Sequence, residues 1–181
     1  FNVGQGSYLS GVVAVCALPP VGTGAEVILS ADNTTFAAIS GIFDEVRCKS
    51  FGIQITPGLN TGFPPGALLI CPDRKRYVTE SSTDNPTPAE MLVSPSTQVI
   101  GFTQFSTLQT RRSLYASTTV ERQSFIDASA LADLTNPLPP TAHFSPAFYL
   151  AVRLAAAPNS DVSIPCTITL TGVYVFRNPS N

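Results

Sequence analysis

The chain is 181 residues long, with 44% hydrophobic and only 12% charged residues. That is enough apolar material for one folded core and excludes a disordered chain, and no run reaches the ~18 apolar residues of a membrane-spanning helix. The formal net charge of −2 argues against a domain that binds nucleic acid by its own charge, because such domains carry a clustered excess of Lys and Arg.

The 16 Pro and 12 Gly gather at 19–24, 57–66, 86–95, 136–146 and 158–165. Between them lie short runs rich in Val, Ile, Phe, Thr and Cys. This punctuation predicts an antiparallel all-β sandwich or barrel with long loops, and no strand–helix–strand rhythm competes with it. No secretory leader is visible, since no basic stretch precedes an apolar one at the start.

Ser10–Leu18 is the first strand, and Val27–Ser30 is a weaker one. Asn33 or Thr34 is placed to cap a short helical turn carrying Phe36, Ile39 and Phe43. The run 43–56 starts with Val46 and Cys48 in phase and then switches to Phe51, Ile53 and Ile55. A change of phase inside one strand requires an extra residue, and a bulge is expected near Ser50 and Gly52. Ala67–Cys71 is continuously apolar and predicts a central strand. Pro88–Val93 predicts a second helical turn, and Gln98–Phe105 a further strand. The stretch from Thr118 to Ile126 is weaker. Phe148, Leu150, Val152 and Leu154 alternate with Tyr149, Ala151 and Arg153. Cys166, Ile168, Leu170, Gly172, Tyr174 and Phe176 alternate with a Thr-rich set. A period of two over such lengths predicts strands with one face buried. The connections 79–97 and 133–146 are longer than the usual two to six residues, which marks them as functional or interfacial.

Chemistry is scarce. His143 is the only histidine and has no Cys or His at metal-ligand spacing. No nucleophile elbow surrounds any serine. Gly4-Gln5-Gly6 and Gly22-Thr23-Gly24 lack the third glycine and the strand–helix setting of a dinucleotide loop. Cys16, Cys48, Cys71 and Cys166 sit inside expected strands and are read as buried free thiols. Asn33-Thr34-Thr35 matches a glycosylation sequon by pattern alone. Asp73, Asp127, Asp133 and Asp161 lie near loops or strand ends, as solvated carboxylates commonly do. The basic residues are few but grouped: Arg47 with Lys49, Arg74-Lys75-Arg76, and Arg111-Arg112. Solvated turns or inter-subunit ion pairs are their default reading, and phosphate contact the minority one.

Three segments carry a resemblance. FDEVRCKSFGIQITP (43–57) is similar to a coat-protein strand in which an aromatic, an acidic pair and an arginine lead into alternating hydrophobics and a proline. GFPPGALLICPDRKR (62–76) resembles the next strand, an apolar run opened by glycine and closed by aspartate. CTITLTGVYVFRNPSN (166–181) resembles the last strand of the same proteins. In this order the set resembles the single jelly-roll capsid proteins of small icosahedral viruses, tombusvirus-like or circovirus-like. It spans about two-thirds of the chain when the intervening strands are counted.

The resemblance implies an eight-stranded antiparallel jelly-roll sandwich of two four-stranded sheets. Its strands B to I would be 10–18, 43–56, 67–72, 98–105, about 118–122, 124–128, 147–154 and 166–177. It implies one shell domain over 1–181, with no protruding domain after the last strand. Such coats carry a basic N-terminal arm, and none precedes Arg47 here. Where relatives of the tombusvirus-like branch hold interface calcium with several aspartates, only Asp73 stands locally, followed by three basic residues. Asp73 is therefore a weak calcium candidate, and no cofactor is expected.

The function implied is structural. Copies of the chain assemble into a closed icosahedral shell that encloses a viral genome in the virion, with no enzymatic activity and no membrane partner. Arg47, Lys49, Arg74, Lys75, Arg76, Arg111 and Arg112 form the pool of interface or genome contacts, the latter without sequence specificity. The low charge fits, because charge is depleted in interface cores. The alternative is a β-sandwich carbohydrate- or receptor-binding module. It is disfavoured by the absence of Trp and the presence of only 5 Tyr. A metal-dependent enzyme on the same scaffold would need a histidine cluster.

Overall fold

The computed structural model describes residues 1–17, 27–28, 35, 38–39, 41–57, 65–73, 85–102, 114–119, 125–127 and 147–179. In chain order its elements are β1 (Asn2–Val3), β2 (Val13–Cys16), β3 (Val27–Ile28), β4 (Phe43–Pro57) and β5 (Gly66–Asp73). There follow α1 (Pro88–Val93), β6 (Gln98–Phe102), β7 (Leu114–Thr119), β8 (Ile126–Asp127), β9 (Ala147–Leu154), β10 (Val162–Ser163) and β11 (Cys166–Pro179). Thr35, Ala38 and Ile39 are helical, within the turn that the Asn33/Thr34 cap predicts.

Two sheets face each other. One runs β3-β2-β9-β5-β6, and the other runs β11-β4-β7 with β8 also paired to β4. All of these pairings are antiparallel except β2 with β3, which is parallel. The expected division into two four-stranded sheets is thus corrected to five and four, because Val27–Ile28 adds itself beside Val15 and Cys16. β1 and β10 form a separate ribbon, Asn2 opposite Ser163 and Val3 opposite Val162. Neither strand was foreseen, since two residues are too few to show a period. Three of the expected strands shift at their ends. The first shortens to Val13–Cys16, the strand from Gln98 ends at Phe102 among the described residues, and the strand expected near 118 begins at Leu114.

The core follows from alternation. Val46, Cys48, Phe51, Ile53 and Ile55 of β4 meet Phe148, Leu150, Val152, Leu68 and Ile70 of the opposing sheet, all buried. The Phe51 and Phe148 rings lie 5.4 Å apart across the sandwich, within the range where aromatic pairs attract beyond their buried area. Ile168, Leu170, Tyr174 and Phe176 pack against the same cluster from β11.

The phase change in β4 has the physical cause that its sequence demands. Ser50 faces Val173 and Cys48 faces Tyr174, so Lys49 is the residue without an opposite number. Val46 and Cys48 before it, and Phe51, Ile53 and Ile55 after it, consequently all point inward. The bulge falls just before the expected Ser50.

The centre of the five-stranded sheet is buried on both faces. Leu69, Cys71, Tyr149, Ala151, Ala14 and Cys16 form a second cluster on its outer side, closed by Met91 of α1. The alternation of β9 leaves Tyr149 and Ala151 on a face that one-sided burial would expose, but they are buried in this second cluster, which α1, packed on β5, joins through Met91. α1 is stable enough to serve because Thr87 and Glu90 form a capping box, with Pro88 beginning the helix. Pro72 lies past Ile70, the last β5 residue paired with β6. A missing N–H is tolerated there because the strand has one neighbour instead of two.

Candidate assembly and genome-contact surfaces

The basic residues expected to make contacts divide sharply. Arg47 and Lys49 stand on β4, and Arg74, Lys75, Arg76, Arg111 and Arg112 lie outside the described residues, as do His143 and Asp133. Lys49 is exposed on the bulge. Arg47 is half-buried, with its guanidinium 4.8 Å from the centre of the Phe125 ring. Arg177 of β11 lies over the same ring at 3.9 Å.

The sheet register makes this cluster. Glu45 is opposite Arg177 on one side and Asp127 on the other, so acid and base share an outward face at one end of the sheet. Arg177 Nε donates to Glu45 Oε2, and Asn178 Nδ2 donates to the same oxygen at 2.8 Å. Asn178 has φ of 56°, a left-handed conformation that Asn adopts more readily than most residues. The two guanidinium groups lie within the ~10 Å Debye length of 0.1 M salt, so they repel unless anions are near. Glu45 supplies one such charge. Arg47 Nε is buried and has no hydrogen-bond partner among the described residues. Stacking on an aromatic face leaves the edges of a guanidinium open to carboxylate or phosphate oxygens.

Sequence reading found Arg47 but missed Arg177 and Phe125. They lie 130 and 78 residues along the chain from Arg47, and only strand pairing joins them.

Two of the acidic candidates, Asp73 and Asp161, make structural hydrogen bonds. Asp73 Oδ2 accepts a hydrogen bond from the Tyr149 hydroxyl at 3.1 Å. Asp161 Oδ1 accepts the Gln5 backbone N–H at 2.8 Å, fixing the turn beside the β1–β10 ribbon. Among the described residues no three His, Cys, Asp or Glu side chains gather into a metal-binding group. All four cysteines are free thiols, three of them buried. Burial pushes the Cys48 thiol up to about 12, with backbone hydrogen bonding at Ser50 opposing the rise.

A groove of about 610 Å³ opens on the other sheet, between Tyr8, Leu9, Ala67, Leu92 and Arg153. It has no signature in the sequence, because its walls come from the N-terminal segment, β5, α1 and β9.

No family model and no curated protein matches the sequence. Solved structures do match the fold. The T=1 subviral particle of a Penaeus vannamei nodavirus capsid protein deletion mutant aligns with a TM-score of 0.55 and 9% identity, over 99% of this chain and 98% of that one. Cocksfoot mottle virus aligns with a TM-score of 0.54 and 14% identity, over 96% of each chain. Desmodium yellow mottle tymovirus aligns with a TM-score of 0.53 and 12% identity, over 100% of this chain and 86% of that one. Two facing sheets with a shared core, matched end to end by these structures, give the chain the jelly-roll fold of small icosahedral virus capsid proteins.

Proposed function

We propose that the chain is a structural capsid subunit of a small virus. Copies of it assemble into a closed icosahedral shell that encloses a nucleic-acid genome, and the assembled protein resides in the virion. The observation that carries this reading is the extent of the match. The nodavirus capsid structure is covered over 98% of its length, so the whole fold corresponds and not one sheet of it. The proposed work is assembly, and it needs neither catalytic machinery nor a cofactor.

The outward face of β4 and β11 supports contact with anions. It carries Arg47 and Arg177 on one ring, with Lys49 on the bulge beside them. The Arg74–Arg76 and Arg111–Arg112 groups complete the proposed pool of genome or subunit contacts. Contacts of this kind neutralise backbone phosphates and do not read sequence.

Electron microscopy and light scattering of the purified protein test the proposal. Uniform spherical particles of tens of copies are expected. A monodisperse monomer across a range of pH and salt overturns the reading.

A further inference from the structure

α1 covers only part of the outer face of the five-stranded sheet. Its Met91 joins the buried cluster of Tyr149 and Ala151 of β9, and the next outward residue of that strand, Arg153, is exposed. There the face opens into the groove of about 610 Å³. Tyr8 on its wall is 55% exposed, and Val93, next to the lining residue Leu92, is 82% exposed. Apolar side chains left in water on one patch mark an interaction surface.

The charges of the patch are paired in an unusual way. The Arg153 side chain makes no hydrogen bond or ion pair among the described residues. Glu90 and Val93 stand three residues apart on α1, a spacing that puts them on the same helix face. Glu90 is already held in place, because its Oε2 accepts from the Thr87 backbone N–H at 2.7 Å and from the Thr87 hydroxyl at 2.9 Å. Its other oxygen accepts no hydrogen bond among the described residues. The patch thus has a cation at one side, an apolar middle and a fixed carboxylate at the other side.

Such a surface complements itself. A foreign partner would have to supply an acid and a base at the matching separation, whereas a second copy turned about a two-fold axis supplies both. In an isologous pair each residue i meets j of the other copy, and j meets i. We propose that this face is a two-fold contact between copies of the chain. Tyr8, Leu92 and Val93 pack against their counterparts, and Arg153 of each copy pairs with Glu90 of the other. The carboxylate fixed by its capping box loses little freedom when the pair forms. The inference rests on the capsid reading for its premise of self-assembly.

The test introduces R153E and E90K singly and together, and measures association by analytical ultracentrifugation with imaging of the particles. Each single reversal sets like charges against each other and is expected to weaken association at least tenfold. The double variant restores opposite charges and is expected to recover most of the loss. E90K also removes the capping partner, so V93D gives an independent reading at an exposed site. It is expected to weaken association without lowering Tm. Association unchanged by every variant, or a double variant no better than the singles, overturns the proposal. The two readings fail in different ways. Shells indifferent to the charge swap overturn this contact and leave the capsid reading standing. Pairs that obey the swap without forming shells support this contact and overturn the capsid reading. A wild-type chain that stays monomeric overturns both.

Discussion

The Tyr174 hydroxyl donates to the Ala17 carbonyl oxygen at 2.6 Å, tying the last strand of one sheet to the residue that follows β2 in the other. Burial drives the Tyr174 hydroxyl well above the usual tyrosine range, and the neighbouring Cys48 thiol adds to this. Removing the hydroxyl leaves the buried Ala17 carbonyl without this donor, at a cost of about 1–3 kcal/mol. Tyr174→Phe is therefore expected to lower Tm by several degrees, measured by calorimetry, with strand content unchanged by circular dichroism.

Cys48 and Tyr174 together make the fold sensitive to alkali. Both groups have raised values in the folded state, so the stability they contribute is intact below their unfolded values of 9.0 and 10.0. Above pH 9 the unfolded chain loses the Cys48 proton while the folded chain keeps it, and stability falls by about 1.4 kcal/mol per pH unit until about pH 12. Urea midpoints taken from pH 8 to 11 are expected to decline, and Cys48→Ala should flatten the first part of that decline. An equal slope in the variant would assign the effect to other groups.

Phe148 fills the space between the sheets opposite Phe51. Phe148→Ala is expected to cost about 3–5 kcal/mol, the usual penalty for emptying an aromatic site in a packed core. Phe148→Leu should cost less, because it keeps most of the volume. Denaturant titration distinguishes the two.

Thr87 holds α1 over the second core cluster through its cap. Thr87→Ala is expected to remove about 1 kcal/mol of helix stability. The loss is local, so amide exchange should quicken at Met91 and Ser94 before any change appears in β4 or β11. The same cap lowers the Glu90 carboxyl below its ordinary range. Its contribution is present above about pH 4.5 and fades as pH falls below that.

Arg47 and Lys49 belong to the proposed pool of anion contacts. If they neutralise phosphates, Arg47→Ala and Lys49→Ala should each reduce the salt slope of single-stranded nucleic-acid binding by about one contact. Filter binding between 50 and 300 mM salt measures it. An unchanged slope with disrupted particles would assign both residues to subunit contacts.

Much of the sandwich could be read from periodicity. β9 and β11 alternate over runs long enough to fix their inner faces, and the switch from Cys48 to Phe51 placed the bulge within a residue. The continuous apolar run in β5 was legible for a related reason, since Leu68 and Ile70 enter one cluster while Leu69 and Cys71 enter the other. What periodicity lacks is any record of which face meets which neighbour. α1 packing on β5, Arg177 arriving beside Arg47, and the groove at Arg153 all depend on pairings between distant residues. The ribbon of β1 and β10 escaped for a simpler reason: two residues carry no pattern.

The pairing of β4 with β11 has a kinetic consequence. On a ribosome the Phe43–Pro57 segment emerges about a hundred residues ahead of its partner. Until that partner appears, one edge of β4 has open N–H and C=O groups and a row of uncovered Ile and Phe side chains. Distant strand pairing of this kind folds slowly and leaves sticky intermediates exposed. Newly made chains should therefore depend on chaperones or low local concentration until the last strand docks.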